Sequence, residues 1–143
     1  MVKDLFQCCL YFTANALARS MTALAEDEFK RTGLSPNYGF LLMLAIETPG
    51  ISQKEVAQML NLTPSTITRF VDKLESKGLV KRSIEGKSVL LQPTPKGKAM
   101  LPEIEASWER LYHRYSETIG YEEGKNITGL ICQTARRLES TQG

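Results

Sequence analysis

Residues 61–70 read NLTPSTITRF, and four side chains here, Ser65, Thr66, Thr68 and Arg69, could do hydrogen-bond chemistry on a shared target. Hydroxyls donate and accept, and a guanidinium offers a planar fork of donors, so the set suits base edges or phosphates. Bond-making chemistry is not expected. One histidine (His113), no G-x-S-x-G, no phosphate loop and no metal-ligand cluster leave nothing from which to assemble a catalytic site. The expectation is therefore a non-enzyme without cofactor or metal.

The elements around these residues must present them. Ile67, Phe70, Val71 and Leu74 recur at i, i+3, i+4 and i+7, so a helix should bury that face and leave Ser65, Thr66, Thr68, Arg69, Asp72 and Lys73 on the opposite one. Thr63 is placed to cap the helix and Pro64 to occupy its first position, with Gly78 stopping it after about Lys77. Upstream, Ser52 and Glu55 make an S-x-x-E capping box, which predicts a short helix from about Gln53 to Leu60, and Asn61 suits a left-handed stop. Two short amphipathic helices joined by three or four residues form a helix-turn-helix. Downstream, LVKRSIEGKSVLLQP contains two β-prone runs, Leu79–Ile84 and Lys87–Gln92, joined at Glu85-Gly86, so a hairpin should follow as a wing. Lys81, Arg82 and Lys87 would then reach adjacent phosphates or a minor groove.

The flanks read as helices. Residues 4–30 contain no Pro or Gly, and SPNYGFLLMLAIE offers Ser35 as cap, Pro36 at the first position and apolar residues nearly all round. After the hairpin, Thr94-Pro95 restarts a helix; Leu101, Ile104, Trp108, Leu111 and Tyr115 make a seam of alternating three and four spacing. Gly120 and Gly124 bracket a break, and Ile127, Leu130, Ile131 and Leu138 mark a last helix. The fold class is thus mainly α, one domain over 1–143, with a winged lobe at 35–93 and long terminal helices at 1–34 and 94–143. Those terminal seams have few other elements to cover them, so a second copy in a closed dimer is the economical solution, and intramolecular three-helix packing the alternative.

Charge points the same way. Residues 52–98 hold nine Lys/Arg against four acidic residues, whereas the rest of the 143 hold nine against twelve, so the basic middle suits a polyanion. No run of about 18 apolar residues could span a bilayer, and a cytoplasmic location is expected. Three cysteines, Cys8, Cys9 and Cys132, two of them adjacent, support neither a disulfide framework nor a C-x-x-C metal site.

The stretch ISQKEVAQMLNLTPSTITRFVDKLESKGLVKRS resembles the core of the MarR family of winged-helix transcription regulators, with Val71, Leu74, Gly78, Leu79, Val80 and Arg82 matching V-x-x-L-x-x-x-G-L-V-x-R. TPKGKAM is similar to the family's threonine-x-x-glycine start of the next helix. The resemblance implies a homodimeric repressor on an inverted-repeat operator in double-stranded DNA, released by a small molecule or an oxidant. It departs at the wing tip, where Glu85-Gly86-Lys87 stands in place of an aspartate-x-arginine pair and Lys87 takes the arginine's place. DLFQCCLYF further resembles the organic-hydroperoxide-sensing (OhrR-like) branch. That likeness implies Cys8 as a sensing thiol, Phe12 at the aromatic position and Tyr38 as a tyrosine that polarises it. Small buried core cysteines and a non-covalent aromatic ligand among Phe12, Tyr38 and Trp108 remain open beside it. So does a winged-helix module for protein–protein assembly without operator binding.

Overall fold

Ser35, Thr63 and Thr94 each precede a proline, and each accepts a hydrogen bond from the backbone N–H three residues on, starting a helix with Pro at its first turn. The computed structural model describes residues 1–142, and the elements run α1 (Val2–Cys8), α2 (Leu10–Phe29), a short 3-10 turn (Lys30–Thr32), α3 (Pro36–Glu47), β1 (Ile51–Ser52), α4 (Gln53–Leu60), α5 (Pro64–Ser76), β2 (Val80–Glu85), β3 (Ser88–Pro93), α6 (Pro95–Ala99), α7 (Leu101–Ile119) and α8 (Tyr121–Glu139). The chain divides into two compact units, Met1–Trp108 and Glu109–Gly143.

In the first unit, α3, α4, α5 and the sheet close on one core. Leu41, Leu42, Val56, Ile67, Val71, Leu74 and Leu91 are fully buried there together with Phe29 and Ile104. Each such side chain contributes about 1.5–3 kcal/mol by leaving water. The capping box at Ser52 and Glu55 forms both of its bonds, and Asn61 adopts the left-handed conformation (φ 53°) that ends α4. Only Thr63 at its cap separates Asn61 and Leu62 from α5, so the helix-turn-helix stands as the spacing predicts.

The sheet is antiparallel in the order β1-β3-β2, with Ile51 opposite Leu91 and Val80–Glu85 paired with Pro93–Ser88. The expected turn at Glu85-Gly86 moves by one residue: Glu85 stays in the ladder opposite Ser88, and the loop is Gly86-Lys87. Gly86 has φ 62° while Lys87 does not enter positive φ, the pattern of a type II′ turn, which wants glycine first. Strand β1 was not foreseen; two residues are too few for alternation to be visible.

Three other boundaries differ from expectation. The first helix is interrupted at Cys9 (φ −90°, ψ 125°), which ends α1 and starts α2. With neither Pro nor Gly nearby, the interruption leaves no local signal. It lets Phe6 meet Phe12 at a ring separation of 4.7 Å, whereas residues six apart lie on different faces of a continuous helix. The helix from Pro95 is likewise two helices, α6 and α7, meeting at Met100. Pro102 accounts for this, because it has no N–H to offer the carbonyl of Lys98. Among the described residues of the second unit only Gly120 (φ 107°) breaks the helical run, and Gly124 lies buried inside α8.

Candidate nucleic-acid interface

Helix α5 sorts its side chains by face. Ile67, Val71 and Leu74 are fully buried, and Phe70 is half-buried beneath Tyr38 of α3, their rings 4.7 Å apart and edge-on. Ser65, Thr68, Arg69, Asp72 and Lys73 are exposed, and Thr66 is half-buried.

The hydroxyls carry unequal local duties. Thr63 Oγ1 accepts from the N–H of Thr66 at 3.3 Å and lies 3.2 Å from Ser65 Oγ and 2.8 Å from Thr66 Oγ1. Thr68 donates to the carbonyl of Pro64 at 3.0 Å and accepts from Gln53 Nε2 at 3.4 Å. Thr66 and Thr68 thus serve the first turn of the helix, while Ser65 is the exposed hydroxyl at its end. Arg69 makes no ion pair among the described residues, because the nearby acid, Asp72, belongs to another arginine. Arg69 and Lys73 on α5, with Lys81 and Lys87 on the wing, are exposed cations, and Lys87 stands at the tip of the two-residue turn.

Arg82 is different. The sequence groups it with the wing cations, but its side chain is only 22% exposed and its guanidinium is engaged with the protein. It sits 2.6 Å from Asp72 Oδ1, donates to Glu75 Oε1 at 3.1 Å, to Gln53 Oε1 at 2.8 Å and to the carbonyl of Thr68 at 3.0 Å. Unlike the other wing cations, Arg82 is therefore engaged with α4 and α5 within the chain. Gln53 and Glu75, absent from the sequence-derived set, belong beside it. Gln53 is 29 residues away from Arg82, and no local spacing reveals such a partner. Between α4 and α5 runs a groove of about 540 Å³ whose lining includes Gln53, Lys54, Ala57, Leu62, Pro64 and Thr68.

The residues expected to sense a signal have different ring neighbours. Cys8 is exposed on α1; Phe12 on α2 packs against Phe6 and Tyr11. Tyr38 packs on Phe70, and Trp108 on Phe29 (4.8 Å) and Phe40 (6.1 Å). Trp108 Nε1 is buried without a hydrogen-bond partner among the described residues. With Cys8 exposed and Cys9 half-buried, the alternative that these two are small buried core residues does not hold within the chain; Cys132 is exposed as well.

Comparison with known proteins sharpens this geometry. The sequence model of the MarR family matches residues 34–85, the stretch from the start of α3 to the end of β2. The putative transcriptional regulatory protein for the hcr operon of Thauera aromatica is 30% identical over 126 residues, covering 82% of this chain and 75% of that protein. The transcriptional repressor CouR bound to p-coumaroyl-CoA superposes with a TM-score of 0.85 at 22% identity, over 92% of this chain and 95% of that one. CouR bound to a 23-mer DNA duplex gives 0.83 at 21%, with the same coverage. The two superpositions establish the winged helix-turn-helix fold, and the Thauera relative carries the assignment further: the chain belongs to the MarR family of transcription regulators.

Proposed function

We propose that two copies of the chain form a dimeric repressor whose α5 helices and wings straddle an inverted-repeat operator, and which leaves DNA when a small molecule or an oxidised thiol changes the spacing of the lobes. The observation that carries the reading is the exposed face of α5, where Ser65, Arg69 and Lys73 stand together and Arg69 makes no ion pair among the described residues. Hydroxyls at a helix N-terminus can meet base edges or phosphates in a major groove, and backbone N–H groups there favour an anion. In this reading residues 35–93 are the DNA lobe, and 1–34 and 94–143 join the copies. The exposure of Leu5, Phe6, Leu10 and Tyr11, and of Leu130, Ile131 and Leu138, supports that division. The protein works in the cytoplasm and catalyses no reaction.

Three observations bear on the signal. Tyr38 rests on Phe70 of the recognition helix, so displacing Tyr38 would be felt by α5 directly. Trp108 Nε1, buried without a partner among the described residues, is a donor that an acceptor on an aromatic ligand could satisfy, and the structural neighbour CouR holds p-coumaroyl-CoA. The exposure of Cys8 favours a second reading, in which an organic hydroperoxide oxidises that thiol.

A salt titration of binding to DNA selected from random sequence tests the proposal. A DNA regulator loses affinity steeply with salt, and Arg69→Ala should cost about 1–3 kcal/mol, with a slope shallower by about 1 if Arg69 holds a phosphate. Negligible affinity even at low salt would instead favour an assembly module.

A further inference from the structure

We propose that Arg82 is a latch that sets the wing's angle against the recognition helix and does not itself touch DNA. The inference rests on the DNA-binding reading above. Arg82 stands on β2, three residues before the wing's last paired residue, Glu85. Its side chain leaves the strand to meet α4 through Gln53 and α5 through Thr68, Asp72 and Glu75. Its backbone N–H also donates to Glu75 Oε2 at 3.0 Å, so one carboxylate holds both the strand and the guanidinium.

Three arguments separate a latch from a DNA contact. A guanidinium has five N–H donors; hydrogen bonds to Gln53, Glu75 and the Thr68 carbonyl occupy three of them, and Nη2 is also ion-paired with Asp72. Little remains for a phosphate. Next, the side chains of Asp72 and Glu75 are 60% and 42% exposed, and ion pairs with such solvated partners add little stability. What three hydrogen bonds and an ion pair from one planar group add is direction. Last, the contacts converge on the exposed side of α5 that also carries Arg69, so fixing Arg82 fixes the distance between that face and Lys87 at the tip. Lysine cannot replace this arrangement: an ammonium keeps the charge but loses the fork that meets three side chains and a carbonyl at once.

The test is a double-mutant cycle between Arg82 and Lys87, read as the slope of log Kd against log salt on one selected operator. Lys87→Ala in the parent should make the slope shallower by about 1. Arg82→Lys keeps the formal charge, yet should by itself produce a similar loss, because the released wing no longer brings Lys87 to its phosphate. Adding Lys87→Ala to Arg82→Lys should then change little, a coupling of roughly 2- to 10-fold in Kd. Equal increments from Lys87→Ala in both backgrounds would overturn the latch. No effect of Lys87→Ala even in the parent would remove the wing from DNA, and the latch with it. Asp72→Asn combined with Glu75→Gln keeps Arg82 and approaches the same contacts from α5, guarding against a misfolded Arg82 variant. A latch predicts that Lys87 loses its contribution there as well. If freeing Arg82 instead raises affinity and leaves the Lys87 increment intact, Arg82 is a DNA contact and the proposal fails.

Discussion

Helices α5 and α8 carry apolar residues at the same kind of spacing, yet one hides them and the other does not. In α5, Ile67, Val71 and Leu74 are fully buried; in α8, Leu130, Ile131 and Leu138 are 63%, 51% and 54% exposed, and Gly124 is the buried residue. Periodicity says that a face needs cover and does not say what covers it. For α5 the cover comes from α3, α4 and the sheet. For α8 we assign it to a second copy, in keeping with the proposed dimer. The ends of the two helices differ as well. Thr63 caps α5 with its hydroxyl, whereas Gly120 offers α8 no side-chain cap, so α8 depends more on whatever packs against it.

The contrast can be broken in three ways. The largest effect is expected from Ile131→Glu, which would put a carboxylate on each side of a twofold contact. Sedimentation should show a monomer where the parent is a dimer, and a dimer of unchanged affinity would end the reading of α8 as an interface. Next, Ile67→Ala leaves a cavity under α5 and should lower stability to urea by about 2–5 kcal/mol. A loss as small as that of an exposed residue would mean that α5 is not held by its buried face. The smallest is Thr63→Ala, which should cost about 1 kcal/mol by removing the cap, with operator binding retained. If it abolished operator binding with stability unchanged, Thr63 would have to be counted among the contacts.

Much of the winged lobe was legible because its signals are local. The Ser52–Glu55 box, the left-handed Asn61, the Thr63-Pro64 start and the Thr94-Pro95 start each need only four or five consecutive residues, and each is formed. What was hidden depends on residues far apart. Arg82 looks like a wing cation in a linear reading, and only folding brings it onto Gln53, Asp72 and Glu75. The interruption at Cys9 serves an aromatic contact rather than a backbone preference, so no breaker residue announces it. Of the candidate site, the exposed face of α5 was read from the pattern of its buried neighbours. Which of its hydroxyls are occupied by the helix itself was not.

The wing's turn has one more consequence. Six-residue strands paired to their ends leave only Gly86 and Lys87 outside the ladder. Ordering a residue's backbone costs about 1–2 kcal/mol, so a long floppy wing would give back part of each contact it made on binding. Here the ordering is done at folding. In the proposed reading the wing meets its target as a stiff prong, able to reject a misplaced groove rather than adapt to it, and its selectivity should lie in the spacing it tolerates more than in the bases it touches.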